Sequence, residues 1–149
     1  MIKTEDIAKS IIQELKKLYP DCGFYIGTLE EKAKYPCFLI YLGLENGKIA
    51  DTDLIKKTLT VDIVYFNSNK AKDNKDYIAK VQVKDNLELW LNKNYIKVDN
   101  KKLRFDYSTN SADDLLNVTL KITYFNNIIR EGINYELIKE IIINTKICK

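Results

Sequence analysis

Histidine, the side chain most often used for acid–base catalysis at neutral pH and for metal binding, does not occur in this sequence of 149 residues. Its three cysteines are far apart and form no CxxC pair, which argues against a structural zinc site. The acidic pairs Glu30-Glu31 and Asp113-Asp114 are typical of solvated loops and turns. The sequence therefore predicts no catalytic, metal-binding or cofactor-binding residue, and we expect a protein that is not an enzyme.

Sequence motifs for other chemistry are also missing. No GxSxG, HExxH or GxxxxGK[ST] pattern occurs, and the five glycines do not cluster into a phosphate-binding loop. The net charge of +3 is too small to indicate nucleic acid or an anionic membrane as a partner. The N-terminus lacks the apolar core of a signal peptide, and no apolar run approaches the roughly 18 residues of a membrane span. These features predict a cytosolic protein without a membrane partner.

A run of lysines leaves a nucleic-acid alternative open. Lys75, Lys80 and Lys84 are spaced to share a broad face of a predicted helix, where they could contact a phosphate backbone. Nearby aspartates reduce the positive field, and no interleaved aromatic residues are available for base stacking. A solvated helix face is the simpler interpretation, so direct nucleic-acid binding is the disfavoured hypothesis.

Two amphipathic helices are predicted from apolar residues at helical spacing. Thr4 is the predicted N-cap of the first helix, which ends before Tyr19 because Pro20 disfavours helical geometry there. The second helix is predicted over residues 75–91. Its apolar stripe comprises Ile78, Ala79, Val81, Val83, Leu87, Trp90 and Leu91.

Strands are predicted where apolar and polar residues alternate. Clear alternation covers residues 56–66 and 117–125, and two shorter strands at 95–98 and 103–108 flank a hairpin loop. The run 37–44 is apolar on both faces, which predicts a strand covered on both sides, and Asn46-Gly47 after it is a turn signal. A short extended piece is predicted at 23–28.

Short loops between strands favour antiparallel pairing. The predicted fold class is therefore α+β, a mostly antiparallel sheet with an N-terminal helix and one inserted helix packed against it.

The end of the chain has an ambiguous pattern. Leu137, Ile138, Ile141 and Ile142 fit a helical stripe, yet the run Ile141-Ile142-Ile143 is β-branched, which favours a strand. Such an apolar segment must pack on something, either its own core or a neighbouring subunit. We interpret residues 1–130 as a single domain and residues 131–149 as a segment that contacts a neighbouring subunit.

Four motifs in fixed order resemble the phage tail terminator family of tailed phages and phage-tail-like particles of Gram-positive bacteria. They are the opening helix ending in Tyr19-Pro20, the run Pro36-Cys37-Phe38-Leu39-Ile40, the strand Val61-Asp62-Ile63-Val64-Tyr65-Phe66, and a closing strand over 118–125 entered by Asp113-Asp114. Their order and spacing agree with the family over about residues 1–126.

The resemblance implies a structural protein of the virion tail. Such proteins form a ring, usually a hexamer, that caps the head-proximal end of the tail tube, ends its polymerisation and joins the neck. The implied partners are further copies of the chain, the tail tube protein, and sheath and neck or connector proteins, assembled in the bacterial cytoplasm. A headless tail-like bacteriocin would use the same ring as a cap. A neck or head–tail connector subunit, or a tail-completion subunit, is the alternative.

Candidate interface residues are strand aromatics, strand and turn acids, and apolar residues near the end of the chain. Tyrosine is favoured at interfaces because it combines large apolar area with a polar group, although it is also a good strand former. The candidates are Tyr41, Asp62, Tyr65, Asp113, Tyr135, Ile138, Ile141 and Ile142.

Overall fold

The computed structural model describes residues 2–68, 77–110 and 115–128. Within these ranges the chain forms two helices and six strands. They are α1 (Thr4–Leu18), β1 (Gly23–Ile26), β2 (Cys37–Asp51), β3 (Leu54–Phe66), α2 (Tyr77–Leu91), β4 (Tyr95–Val98), β5 (Lys101–Asn110) and β6 (Leu116–Asn127).

Helix α1 confirms the predicted amphipathic helix. Ile7, Ile11 and Leu15 lie on one side and are completely buried. The predicted cap is displaced by one residue, because Lys3 occupies the N-cap position and Thr4 is already helical. The Lys3 side chain makes no capping hydrogen bond to the first turn.

The six strands form one sheet in the order β1-β2-β3-β6-β5-β4. Only β1 and β2 pair in parallel, and every other pairing is antiparallel. The predicted α+β class is confirmed, with the N-terminal and inserted helices packed against a mostly antiparallel sheet. Both helices bury their apolar side chains in the same hydrophobic core as the sheet.

Alternation along the two central strands places one row of residues from each strand in this core. The residues are Leu59, Val61, Ile63 and Tyr65 of β3, and Val118, Leu120, Ile122 and Tyr124 of β6. The register pairs Val61 with Leu120 and Ile63 with Val118. The two predicted apolar faces therefore lie side by side, under the helices.

The inserted helix buries only part of its predicted stripe. Val83, Leu87 and Trp90 are buried, but Ile78 is largely exposed, so the stripe is narrower than expected. Lys80 is buried instead, which contradicts its predicted place on a solvated lysine face.

Strand β2 departs most from expectation. Asn46 and Gly47 do not form a turn; they lie within the strand and pair with Thr58 and Lys57 of β3. The hairpin instead turns after Asp51, so β2 extends seven residues beyond its predicted end at Leu44. The expectation of a strand covered on both sides also fails, because Tyr41 is exposed.

The hairpin between β4 and β5 is tighter than the predicted four-residue loop. Asp99 and Asn100 are its only loop residues, and both have positive φ angles, 50° and 64°. Aspartate and asparagine tolerate that conformation, which suits two-residue hairpin turns.

Candidate assembly surfaces

One face of the sheet is not covered by either helix of the described chain. Tyr41 of β2 and Asp62 of β3 are direct cross-strand neighbours on this face. Asp62 is half-buried and accepts a hydrogen bond of 2.6 Å from the Thr119 hydroxyl on β6. Tyr41 remains 52% exposed. We call this the open face: it presents an aromatic side chain beside a carboxylate whose position is fixed by its neighbour.

The outer edge of β2 is paired for only part of its length. Strand β1 pairs with Cys37 to Ile40, and the N–H of Gly27 donates to the Ile40 carbonyl at 2.9 Å. Beyond Ile40, residues 41–51 have β3 on one side and no strand from the described ranges on the other. We call residues 41–51 the free edge. Backbone N–H and C=O groups on such an edge are available to another chain.

Two apolar side chains of the free edge are exposed to solvent. Leu44 is 67% exposed and Ile49 is 70% exposed. Natural edge strands are usually protected from pairing by charges, prolines or short length. This edge carries the charged residues Glu45, Lys48 and Asp51, but it is long and also exposes apolar groups. The exposed pair therefore marks the free edge as a surface for contact.

A bulge bends β2 where the free edge begins. The register slips between Leu42 and Glu45, so that Gly43 and Leu44 both lie opposite Thr60. A Cβ on Gly43 would lie 3.1 Å from the Thr60 carbonyl oxygen, and glycine allows this close approach. After the bulge, Glu45 is placed on the helix-covered side of the sheet.

Glu45 forms an ion pair there with Lys57 of β3, at 2.9 Å. The hydrogen bond to Glu45 raises the pKa of Lys57 above its ordinary value. Both residues line an open groove of about 590 Å³, together with Ile55 and the last described residue, Ile128. The groove lies where α1 begins, and Asn126 fixes its wall by two hydrogen bonds to the backbone of Ile2.

The predicted interface residues fall into three groups. Tyr41 and Asp62 lie together on the open face. Tyr65 is placed in the core, where its ring centroid is 5.2 Å from that of Phe38. Asp113, Tyr135, Ile138, Ile141 and Ile142 lie outside the described residues.

Sequence reasoning missed Leu44 and Ile49. The signal that could have found them is the apolar residues on both sides of Asn46-Gly47, which continue the strand through the predicted turn.

The lysine face predicted for the second helix is not assembled in the described chain. Lys80 is buried, and Lys84 lies 4.0 Å from Glu88 on the next turn. Lys75 lies outside the described residues. The described structure therefore adds no support to the nucleic-acid alternative.

Cys37 is completely buried at the start of β2, and burial raises the pKa of its thiol from 9.0 to about 11. In a Cys22→Ser, Cys148→Ser variant, we expect iodoacetamide at pH 8 to modify Cys37 at least about 100 times more slowly in the folded than in the unfolded protein, because the thiolate is the reactive form and burial also shields the sulfur from the reagent. Mass spectrometry of quenched time points measures both rates. Equal rates would contradict the buried placement of Cys37.

Within the described ranges, no group of three or more cysteine, aspartate or glutamate side chains is placed to hold a metal ion. No helix in the same ranges is long and apolar enough to cross a membrane. The described chain presents an open face and a free edge to solvent. The protein therefore belongs to the class of small α+β proteins whose exposed surfaces suit contact with other protein chains.

The family follows from the sequence match. A family model described as "Phage tail terminator protein" matches residues 6–135, which is most of the chain. The chain belongs to the phage tail terminator family, and its role is structural, in the tail of a virion.

Curated proteins and solved structures give no further assignment. No curated protein matches the chain. Among the solved structures that match the chain, one is 10% identical to it, covers 89% of this chain and 100% of its own, and superposes with a TM-score of 0.45.

Proposed function

We propose that this protein forms a ring of six copies on the head-proximal end of a tail tube, where it ends tube polymerisation and joins the neck. The observation that carries this proposal is the combination of a free edge and an open face on one small subunit. Membership of the tail terminator family supports the location. The role requires no catalytic group.

Ring formation fits the physical character of these surfaces. A closed ring requires two different, complementary patches on every subunit, so that each copy contacts the next head to tail. The free edge is a patch of one kind, with backbone groups and apolar side chains to be covered. We propose that residues 131–149 contact the neighbouring subunit as the complementary patch.

The open face is proposed to take part in the same contacts, since Tyr41 provides apolar area beside the charge of Asp62. Fully buried tyrosines are frequent centres of protein interfaces. The tail tube protein, the neck or connector proteins and, in a contractile tail, the sheath are the proposed partners. Assembly is proposed to take place in the bacterial cytoplasm.

Electron microscopy of particles that carry an epitope tag on this subunit tests the proposal. Antibody label is expected at one tip of the tube, the tip that faces the head where a head is present. Particles from cells without the subunit are expected to have tubes of uncontrolled length, because nothing ends polymerisation. Tubes of normal length that fail to join heads would instead identify a neck or head–tail connector subunit.

A further inference from the structure

The backbone of the free edge points outward at regular positions. The hydrogen bond from Gly27 shows that the Ile40 carbonyl is directed away from β3. Alternation along the strand, with the bulge at Gly43 and Leu44 included, then directs the backbone groups of Glu45, Gly47 and Ile49 outward. These backbone N–H and C=O groups form a row along the edge, and no strand of the described chain pairs with them.

The opposite edge of the sheet begins with β4, which is short and partly covered. Strand β4 is four residues long and is approached by α1, whose Ser10 hydroxyl donates to the Lys97 carbonyl at 2.9 Å. A short, partly covered edge resists pairing with another chain. On that side of the sheet β4 pairs only with Lys101 to Arg104, and β5 extends beyond it to Asn110. This extension is shorter than the free edge of β2, which also carries the exposed Leu44 and Ile49.

The position at which the described chain ends points to a candidate segment for covering this edge. After β6, the N–H of Ile128 donates to the carbonyl of Asp53 at 2.9 Å, within the β2–β3 turn. The described chain therefore ends, at Ile128, beside the turn that follows the free edge, and residues 129–149 come after this point in the sequence. At about 3.3 Å per residue, an extended chain of this length is long enough to reach a neighbouring subunit.

The sequence of that segment suits an added strand. Ile133, Tyr135 and Leu137 alternate with the polar residues Asn134 and Glu136, and the β-branched run Ile141-Ile142-Ile143 follows. Alternation of this kind with β-branched residues favours an extended conformation. The family match ends at residue 135, so most of the segment lies outside the family pattern.

We propose that the free edge of β2 binds the C-terminal segment of a second copy of this chain as an added β-strand. The inference rests on the proposed ring, for which it names the contact. Donor and acceptor are different parts of the chain, so each copy both gives and receives a strand. Such head-to-tail exchange closes into a ring when the rotation between copies permits.

Two substitutions at one position test this row of backbone groups. Ile49→Pro removes an outward N–H without removing a bond to β3, whereas Ile49→Thr keeps that N–H and the β-branch. By sedimentation velocity on the full chain, we expect Ile49→Pro to weaken self-association about 30-fold or more and Ile49→Thr to weaken it about threefold or less. Equal effects of the two variants, or none, would overturn the proposal.

Cross-linking identifies the occupant even if the proline variant fails to fold. Two differently tagged chains are mixed, both with Cys22→Ser; one carries Lys48→Cys and Cys148→Ser, and the other keeps Cys148. A short bis-maleimide is expected to join the two tags, because Lys48 lies on the free edge and Cys148 in the donor segment. Cross-links formed only within one chain, in a Lys48→Cys chain that keeps Cys148, would assign the edge to its own segment and overturn the proposal. No cross-link in solution or on assembled tails would also overturn it.

The result is separable from the proposed function. If labelled subunits occupy the tube tip and Ile49→Pro subunits do so equally well, the ring stands and the strand exchange fails. If mixed cross-links form but the label never reaches a tube tip, the strand exchange stands and the proposed location fails.

Discussion

Phe38→Ala is expected to lower the free energy of unfolding by about 3–5 kcal/mol, because it removes a completely buried aromatic side chain and leaves a cavity. The Phe38 ring centroid lies 5.4 Å from that of Tyr19, 5.7 Å from Phe24 and 5.2 Å from Tyr65. These neighbours come from the end of α1, from β1 and from β3. The substitution therefore loosens three elements that meet at one ring.

Urea unfolding followed by circular dichroism measures this effect through the change in midpoint at constant slope. Tyr41→Ala is the matched control, since it removes an aromatic side chain from the same strand at an exposed position. Its expected cost is about 1 kcal/mol or less. A Phe38→Ala cost as small as that of the control would show that the aromatic cluster does not hold these elements together.

The central strands could be predicted because their environment follows a simple rule. Most residues of β3 and β6 have a strand on both sides, so alternate side chains lie either in the core or on the open face. Val61 and Ile63 were predicted on one face and Asp62 on the other, as the structure shows. At these positions the local sequence pattern and the packing against distant strands place each side chain on the same face of the sheet.

The turn at Asn46-Gly47 could not be predicted correctly, because its local preference conflicts with pairing at a distance. Asn-Gly favours a two-residue turn, but a turn there would leave residues 54–58 of β3 without a partner on that side. Continuing β2 to Asp51 pairs those residues. Packing across the sheet therefore overrode the local signal.

The burial of Lys80 could not be predicted from its spacing along the helix. A lysine spaced with two others on a helix is usually solvated, yet Lys80 lies on the helix side that packs on the core. A lysine can bury its aliphatic stem along apolar surface, so helical spacing alone does not decide its exposure.

The candidate surfaces were predictable only in part. Tyr41 and Asp62 could be named from their strand positions, and the structure brings them together. Their pairing across β2 and β3 depends on the register, which the sequence alone leaves open. The free edge was beyond prediction, because it depends on β1 ending while β2 continues.

The proposed contact places folding stability and assembly on opposite sides of β2. Phe38 and Ile40 face the core, and their burial stabilises the subunit. Tyr41, one residue further along, faces outward and contributes little to the isolated fold. A strand built this way allows a variant to change contact between subunits without changing the fold of each one.

Tyr41→Ala should therefore separate assembly from folding. We expect self-association of the full chain to weaken by about 2 kcal/mol, or roughly 30-fold, as for a buried aromatic at the centre of an interface. The unfolding midpoint should stay close to that of the unchanged protein. Sedimentation velocity over a concentration series measures the association, and urea unfolding measures the stability.

Ile78→Ala provides the control for loss of exposed apolar area, because Ile78 is 70% exposed on α2, away from the open face. It is expected to associate like the unchanged protein. Asp62→Asn removes the charge beside Tyr41 but keeps an oxygen that can accept the Thr119 hydrogen bond. If Tyr41→Ala associates normally while Ile49→Pro does not, the contact is confined to the free edge. If both associate normally, neither surface of β2 holds the ring together, because each substitution removes what its surface would contribute.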